Sequence, residues 1–366
     1  MPPQHRRIRT SALLAALLIG VLLMELLAIA GGLWHEHAAV IFLLLFLLGI
    51  AVHEAGHLVA GWAAGFHFHS VQIGPLLLED EYGVVRAHFS LDMMYLGYAG
   101  MHANSVRKLR RRLLIYTAGG PGANLLSVIV VIVVAHLMPP SDSALATAAG
   151  QFGAISLVLA MISLVPVATN DGGSIEMLLC SPLSARRLIS AVAIGAQFNQ
   201  GIRARNWKQT WLKAATYIPD KSPSDFYANW MAYMSADDKN DAALSTQYLE
   251  RCLSATPLLT NRLRNIVAQE AFVHCAWSKK DLRLAEKWLA QVRKRRSQHP
   301  IVQARIEVAS HCARGDFDNA VSAYEKGLRL LQHMPAKPYI RALQESWLEW
   351  RAEIEERKAH AGCLRQ

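Results

Sequence analysis

Residues 39–65 read AVIFLLLFLLGIAVHEAGHLVAGWAAG, and this stretch decides the class of the fold. The run exceeds the roughly 20 apolar residues that a helix needs to cross the hydrocarbon core of a bilayer. It contains one polar turn, formed by His53, Glu54 and His57. Histidine and glutamate are costly in hydrocarbon and normally face a protein interior or a water-filled cavity. We therefore expect a membrane helix whose polar turn faces inward.

The polar turn has the H-E-x-x-H pattern of a metal site. Two histidines four residues apart share one face of a helix, so His53 and His57 can bind a single Zn²⁺ ion. Glu54 then lies beside the open coordination position, where a carboxylate can take a proton from water and pass it to a leaving amine. The alternative is a helix end whose histidines are solvated or are satisfied by neighbouring helices.

Three further stretches are apolar enough to span a membrane, so we predict four spanning helices in all. They cover residues 11–34, 113–137 and 145–168. The first resembles a signal peptide, but its apolar run is longer than a typical signal core, which favours an uncleaved anchor. Another apolar stretch, residues 188–196, is too short to cross and is expected at the interface or packed on the bundle.

Charge sets the expected orientation of these helices. Basic clusters at residues 6–9, 107–112 and 186–187 fall on one side of the predicted membrane, and cytoplasmic loops carry the excess of Lys and Arg. We therefore expect a multi-pass protein of the cell membrane with both termini in the cytoplasm. The net charge of +10 is then explained by topology and a basic C-terminal region, so nucleic-acid binding is not required.

A carboxylate follows the fourth predicted helix at comparable membrane depth. Pro166 breaks the apolar run, and Asp171 lies in the N-D-G-G turn at residues 170–173. Asp171 can complete a set of two histidines and one carboxylate, which leaves the fourth zinc position for water or substrate. The alternative is a helix C-cap turn with Asp171 in solvent.

A stretch of small residues, GGPGAN at residues 119–124, opens the third predicted helix. Small residues let helices pack closely, and Pro121 frees a backbone carbonyl. The Asn124 amide can hold a substrate backbone or polarise its carbonyl. Helix packing alone explains the stretch equally well.

Taken in order, the H-E-x-x-H helix, the G-P-x-x-N stretch at residues 120–124 and the D-G pair at residues 171–172 resemble the site-2 protease family of intramembrane zinc metalloproteases. The resemblance covers roughly residues 40–173. It implies His53, His57 and Asp171 as zinc ligands and Glu54 as catalytic base.

The chain departs from the family's N-x-x-P-x-P-x-x-D-G pattern before the third ligand. Ser163 stands at the Asn position and Ala168 at the second Pro, whereas Pro166 is retained. These departures leave the ligand and its turn in place and bear on how the substrate strand is held.

Between the second and third predicted helices, residues 70–74 and 82–89 alternate apolar and polar side chains. This alternation predicts a short β hairpin or sheet. In similar proteases such a sheet lies at the membrane face, where an exposed edge can pair with an extended substrate segment.

From residue 205 onward the sequence is charged and helix-patterned. We predict a membrane domain over residues 1–204 and a soluble, cytoplasmic α-helical domain over residues 205–366. Asp241, Asp281 and Asp316 each begin a similar segment, whose spacing is near that of a tetratricopeptide repeat. A TPR-like array usually presents a groove for a protein or peptide partner. A generic helical bundle is the alternative.

The sequence therefore favours a mainly α-helical, polytopic metalloprotease with one catalytic Zn²⁺ ion, which cuts a membrane protein substrate in or beside the lipid bilayer. A catalytically inactive scaffold of the same fold, binding a membrane partner through its helical repeats, is the alternative. A metal transporter is a third class, and it is disfavoured because the helices show no detectable inverted repeat.

Overall fold

The computed structural model describes residues 38–89, 96–137, 144–167, 170–255, 261–291 and 299–363. In these ranges the chain is mainly helical, with one small antiparallel sheet. It divides into two compact units. The first comprises the described residues up to Leu78, Ala87–Met101 and Arg110–Pro182, and the second comprises Glu79–Arg86, His102–Leu109 and the described chain from Leu183 onward.

Three described helices are long and apolar enough to cross a membrane. They are α1 (Ala38–Ala63), α2 (Leu109–Leu137) and α3 (Ala144–Leu164). Each leaves large apolar side chains exposed, as Leu44, Leu126 and Met161 show. Extended apolar surface of this kind marks a membrane or protein contact. The remaining predicted span, residues 11–34, lies outside the described residues, as does Ala168.

Two shorter helices follow, α4 (Asp171–Cys180) and α5 (Pro182–Asn199). Together they are long and apolar enough to span a membrane, but the two helices meet at a bend of 110°. The short apolar stretch at residues 188–196 lies within α5. The compact units divide at Pro182, and the domain boundary after residue 204 stays a prediction about independent folding.

The sheet has four strands in the order β3-β2-β1-β4. The strands are β1 (Phe66–Ile73), β2 (Leu76–Glu81), β3 (Val84–Phe89) and β4 (Gly97–Ala103). The predicted alternation corresponds to β1 and β3, whereas β2 and β4 were not expected. The strand β4 forms one edge of the sheet, and this edge lies at the candidate site described below.

In the helical part of the second unit, several helices pack against the next helix in the chain. After α5 and a 3₁₀ turn at Ala204–Asn206 it contains α6 (Gln209–Ala215), α7 (Pro223–Asp237), α8 (Ala242–Ala255), α9 (Asn261–Trp277), α10 (Leu282–Leu289), α11 (Pro300–Ala313), α12 (Phe317–Gln332) and α13 (Pro338–Cys363). The main core of this unit packs residues of α9 to α13 around Phe272, Tyr324 and Trp347.

One turn recurs in the pairs α7–α8, α9–α10 and α11–α12. The second helix of each pair begins after an Asp whose carboxylate accepts a hydrogen bond from the backbone N–H three residues on. These capping residues are Asp241, Asp281 and Asp316. Each follows a residue of positive φ, namely Asn240, Lys280 and Gly315. Four positions beyond each cap, Ser245, Ala285 and Ala320 are buried. Matched helical hairpins thus occur at the predicted repeats, and the TPR-like class stays a prediction.

We expect Asp281→Ala to lower the free energy of unfolding by about 1 kcal/mol, because it removes the acceptor for the Leu284 N–H. Asp281→Asn keeps an acceptor oxygen and should stay close to wild type. Urea unfolding of the full chain, followed by tryptophan fluorescence, measures both. An equal loss for the two variants would contradict the capping role.

The β2–β3 turn belongs to the same compact unit as these helices. Lys337 donates to Asp80 at 2.6 Å, and the rings of Tyr82 and His299 lie 4.2 Å apart. Burial raises the pKa of the Tyr82 phenol to about 12. The helical unit therefore holds a β turn from a distant part of the sequence.

Candidate metal centre

Two imidazole rings and one carboxylate converge at the polar turn of α1. His53 and His57 lie one helical turn apart, and their Nε2 atoms are 3.2 Å from each other. The Asp171 carboxylate faces both rings, with Oδ2 3.0 Å from His53 Nε2 and Oδ1 3.3 Å from His57 Nε2. The three residues thus form a group that could hold a metal ion. The structure therefore brings together the three residues that the sequence predicts as ligands.

These distances fit the edges of a tetrahedral zinc site. Zinc binds histidine nitrogen and carboxylate oxygen at about 2.0–2.1 Å, so neighbouring ligand atoms lie about 3.3 Å apart around a tetrahedron. The separations of 3.0–3.3 Å among His53, His57 and Asp171 match this value. A Cβ atom at Gly120 would lie 2.6 Å from His53 Nε2 and closer still to His57 Nε2. Glycine at this position therefore lets both histidine nitrogens lie directly against α2.

Asp171 reaches the histidines because it starts a helix. Asn170 takes an extended conformation at the N-cap of α4, and its amide donates to the Ile162 carbonyl at 2.7 Å. A side chain at Gly172 would clash with the Leu164 carbonyl, so glycine lets α4 begin directly against the end of α3. The turn is thus an N-terminal one, and the alternative of a helix C-cap does not hold. The positive end of the helix dipole also favours a carboxylate here.

A backbone carbonyl fixes the tautomer of His57. Its Nδ1 lies 2.9 Å from the backbone carbonyl oxygen of Tyr116 and 3.3 Å from the backbone nitrogen of Gly120. Nδ1 must donate to make the first contact and must accept to make the second. We assign the proton to Nδ1, because the Tyr116 contact is shorter and a carbonyl can only accept. The Nε2 lone pair then faces the site, as in metal-binding histidines whose other ring nitrogen donates to a backbone carbonyl.

Glu54 stands beside the ligand group and is not a member of it. The residue is only 5% exposed. A Cβ at Gly97 would touch the Glu54 carboxylate and Ile50, so the edge strand β4 runs directly against this carboxylate. Glu54 is thus buried beside the ligand group without belonging to it.

The helices α1 and α2 cross at glycines. A Cβ at Gly56 would overlap Gly119 and Ala123, and one at Gly119 would overlap Gly56 and Ala60. Such backbone-level contact is the packing that small residues permit in membrane helices. The role of Gly56 was missed, although the spacings Gly56-x-x-x-Ala60 and Gly119-x-x-x-Ala123 signal it. No sequence signal marks Tyr116 or Gly97.

Two further polar residues, Asn124 and Ser163, have polar partners within the first unit. Asn124 is fully buried, and its amide nitrogen lies 3.2 Å from His53 Nδ1, on the side of the ring away from Asp171. Ser163, at the family's Asn position, donates to the Ala160 carbonyl of its own helix at 3.0 Å. Its hydroxyl is thus used locally.

Comparison of the chain with family models, curated proteins and solved structures finds no match.

Proposed function

We propose that the chain is an intramembrane zinc metalloprotease of the site-2 protease type. The observation that carries the proposal is the convergence of His53, His57 and Asp171 from segments of membrane-like composition. Each of these ligand types suits Zn²⁺, and three protein ligands leave one position for chemistry. A purely structural zinc site would fill all four positions with protein atoms.

Glu54 is the proton carrier in this proposal. A bound zinc ion supplies a Lewis acid that activates water and polarises the scissile carbonyl. The Glu54 carboxylate takes the proton from the water and returns it to the nitrogen of the leaving amine. The wall formed by Gly97 and Ile50 keeps this carboxylate buried beside the ligands, where it is shielded from bulk water.

The sheet offers a place for the substrate chain. Backbone groups in a transmembrane helix are already paired, so a substrate must unwind before its peptide bond becomes accessible. The strand β4 lies at an edge of the sheet and contacts Glu54 through Gly97. An unwound segment that adds to this edge would present its backbone next to the general base.

The surroundings of the site complete the proposal. The apolar helices cross the cell membrane, with both chain termini in the cytoplasm. The helical unit is a TPR-like recognition or regulatory domain, which the recurring aspartate-capped hairpins support.

We expect removal of zinc to abolish proteolysis and its return to restore it. The test uses full-length protein in detergent and a candidate membrane substrate, such as one encoded beside this gene. Cleavage is measured after chelation, and again after one equivalent of zinc is added. Continued cleavage by zinc-free protein would reject the proposal, whereas zinc binding without any turnover would favour the scaffold.

A further inference from the structure

We infer that Asn124 is a positioning residue that controls which nitrogen of His53 carries the proton. The inference rests on the proposed zinc site and gives Asn124 a role other than substrate contact. Its amide nitrogen lies 3.2 Å from His53 Nδ1, while His53 Nε2 faces Asp171. Asn124 therefore contacts the ring nitrogen that is not the proposed zinc ligand.

With its nitrogen toward the ring, the Asn124 amide favours a metal-free state. The Asn124 NH₂ group donates to Nδ1 of His53, so the ring proton must lie on Nε2. There it is donated to Asp171 Oδ2, which is 3.0 Å away. A protonated Nε2 has no lone pair to offer a metal ion.

Half a turn of the amide gives the opposite state. Asn124 Oδ1 has no hydrogen-bond partner among the described residues, although the side chain is fully buried. When the amide rotates, this oxygen accepts from Nδ1–H, and the Nε2 lone pair of His53 faces Asp171 and His57. The oxygen and nitrogen ends of an amide have nearly the same shape, so the rotation needs no repacking. Asparagine is thus able to serve both tautomers of His53.

The two histidines differ in this respect. His57 is held by the Tyr116 carbonyl, which can only accept, so its tautomer is fixed by the backbone. The tautomer of His53, by contrast, depends on the Asn124 side chain, which a mutation can change. Zinc affinity therefore reports the effect of Asn124 on the His53 tautomer without any measurement of catalysis.

The test is a chelator competition that measures the zinc affinity of full-length, detergent-purified variants. Asn124→Leu has no polar atom, and we expect it to weaken zinc binding by roughly 10- to 100-fold. Asn124→Ala removes the amide without adding bulk and provides the same measurement if leucine does not fit. Asn124→Asp keeps an acceptor for Nδ1–H, so its affinity should equal or exceed that of wild type. Ser156→Ala, another fully buried polar residue of the first unit, is the control and should bind zinc normally.

The outcomes separate the role of Asn124 from the existence of the zinc site. Wild-type affinity in both Asn124→Leu and Asn124→Ala would overturn the inference while leaving the zinc site intact. An Asn124→Asp protein as weak as the alanine variant would also overturn it, because the acceptor would then not be what matters. Wild-type protein that binds no zinc would instead reject the proposed function, and this inference with it.

Discussion

The Glu54→Gln protein is expected to bind zinc as tightly as wild type and to lose proteolysis by roughly 100- to 10,000-fold, the usual contribution of a general acid–base group. The amide is nearly isosteric with the carboxylate, so its packing against Gly97 and Ile50 is preserved. It cannot accept the proton from water. Zinc content and substrate cleavage, measured on the same detergent-purified preparation, test both parts.

Ligand variants should behave in the opposite order. His57→Ala and Asp171→Ala each remove one of three ligands and should lower zinc content before any effect on turnover is considered. Glu176→Gln is the matched control, because it changes a carboxylate of the same helix as Asp171 and should leave both readouts unchanged.

Wild-type cleavage by Glu54→Gln would reject the proposed mechanism. Full zinc loading of Asp171→Ala would exclude Asp171 as the third ligand.

Local periodicity explains why half of the candidate site was predictable. Residues four apart share a helix face, so the placement of His53 beside His57 follows from spacing alone. Asp171 lies 118 residues beyond His53, and its residue type, its expected membrane depth and the family resemblance pointed to it. The geometry adds that this residue begins α4, which depends on the close approach permitted at Gly172.

The missing parts of the site depend on rotation and register. The direction of the Asn124 amide is set by how α2 turns about its own axis against α1, and the letters GGPGAN do not specify that angle. Gly97 matters because of its register in β4, whose sequence GYAGMHA lacks the β-branched residues that mark a strand. The sequence LLLEDE of β2 shows no alternation, which is why this strand was also missed.

The helical unit was predictable for a different reason. A capping Asp and a small residue four positions later form a local signal, and the burial of Ser245, Ala285 and Ala320 agrees with it. The β turn at Asp80 and Tyr82, which belongs to the same unit, was not predictable. It is joined to residues more than 200 positions away through pairs such as Asp80 with Lys337, and one sequence carries no record of such pairings.

The Gly120→Ala protein is expected to lose zinc although no ligand atom is removed. Its Cβ would lie 2.6 Å from His53 Nε2 and closer to His57 Nε2, so both ligand nitrogens would have to move to admit the methyl group. The expected loss of affinity is at least the roughly 10- to 100-fold that follows loss of a supporting hydrogen bond, because the methyl group displaces two ligand nitrogens at once.

Gly122→Ala is the matched control for this variant. It makes the same change two residues along α2, where an added Cβ meets nothing within 4 Å. Thermal unfolding with and without added zinc separates occupation of the site from misfolding, because a ligand that binds the native state raises the unfolding temperature. Wild type and Gly122→Ala should be stabilised by zinc, whereas Gly120→Ala should unfold cooperatively at a temperature that zinc does not change. Zinc stabilisation of Gly120→Ala equal to that of wild type would place the ion elsewhere, because the added methyl group cannot be accommodated while His53 and His57 keep their positions.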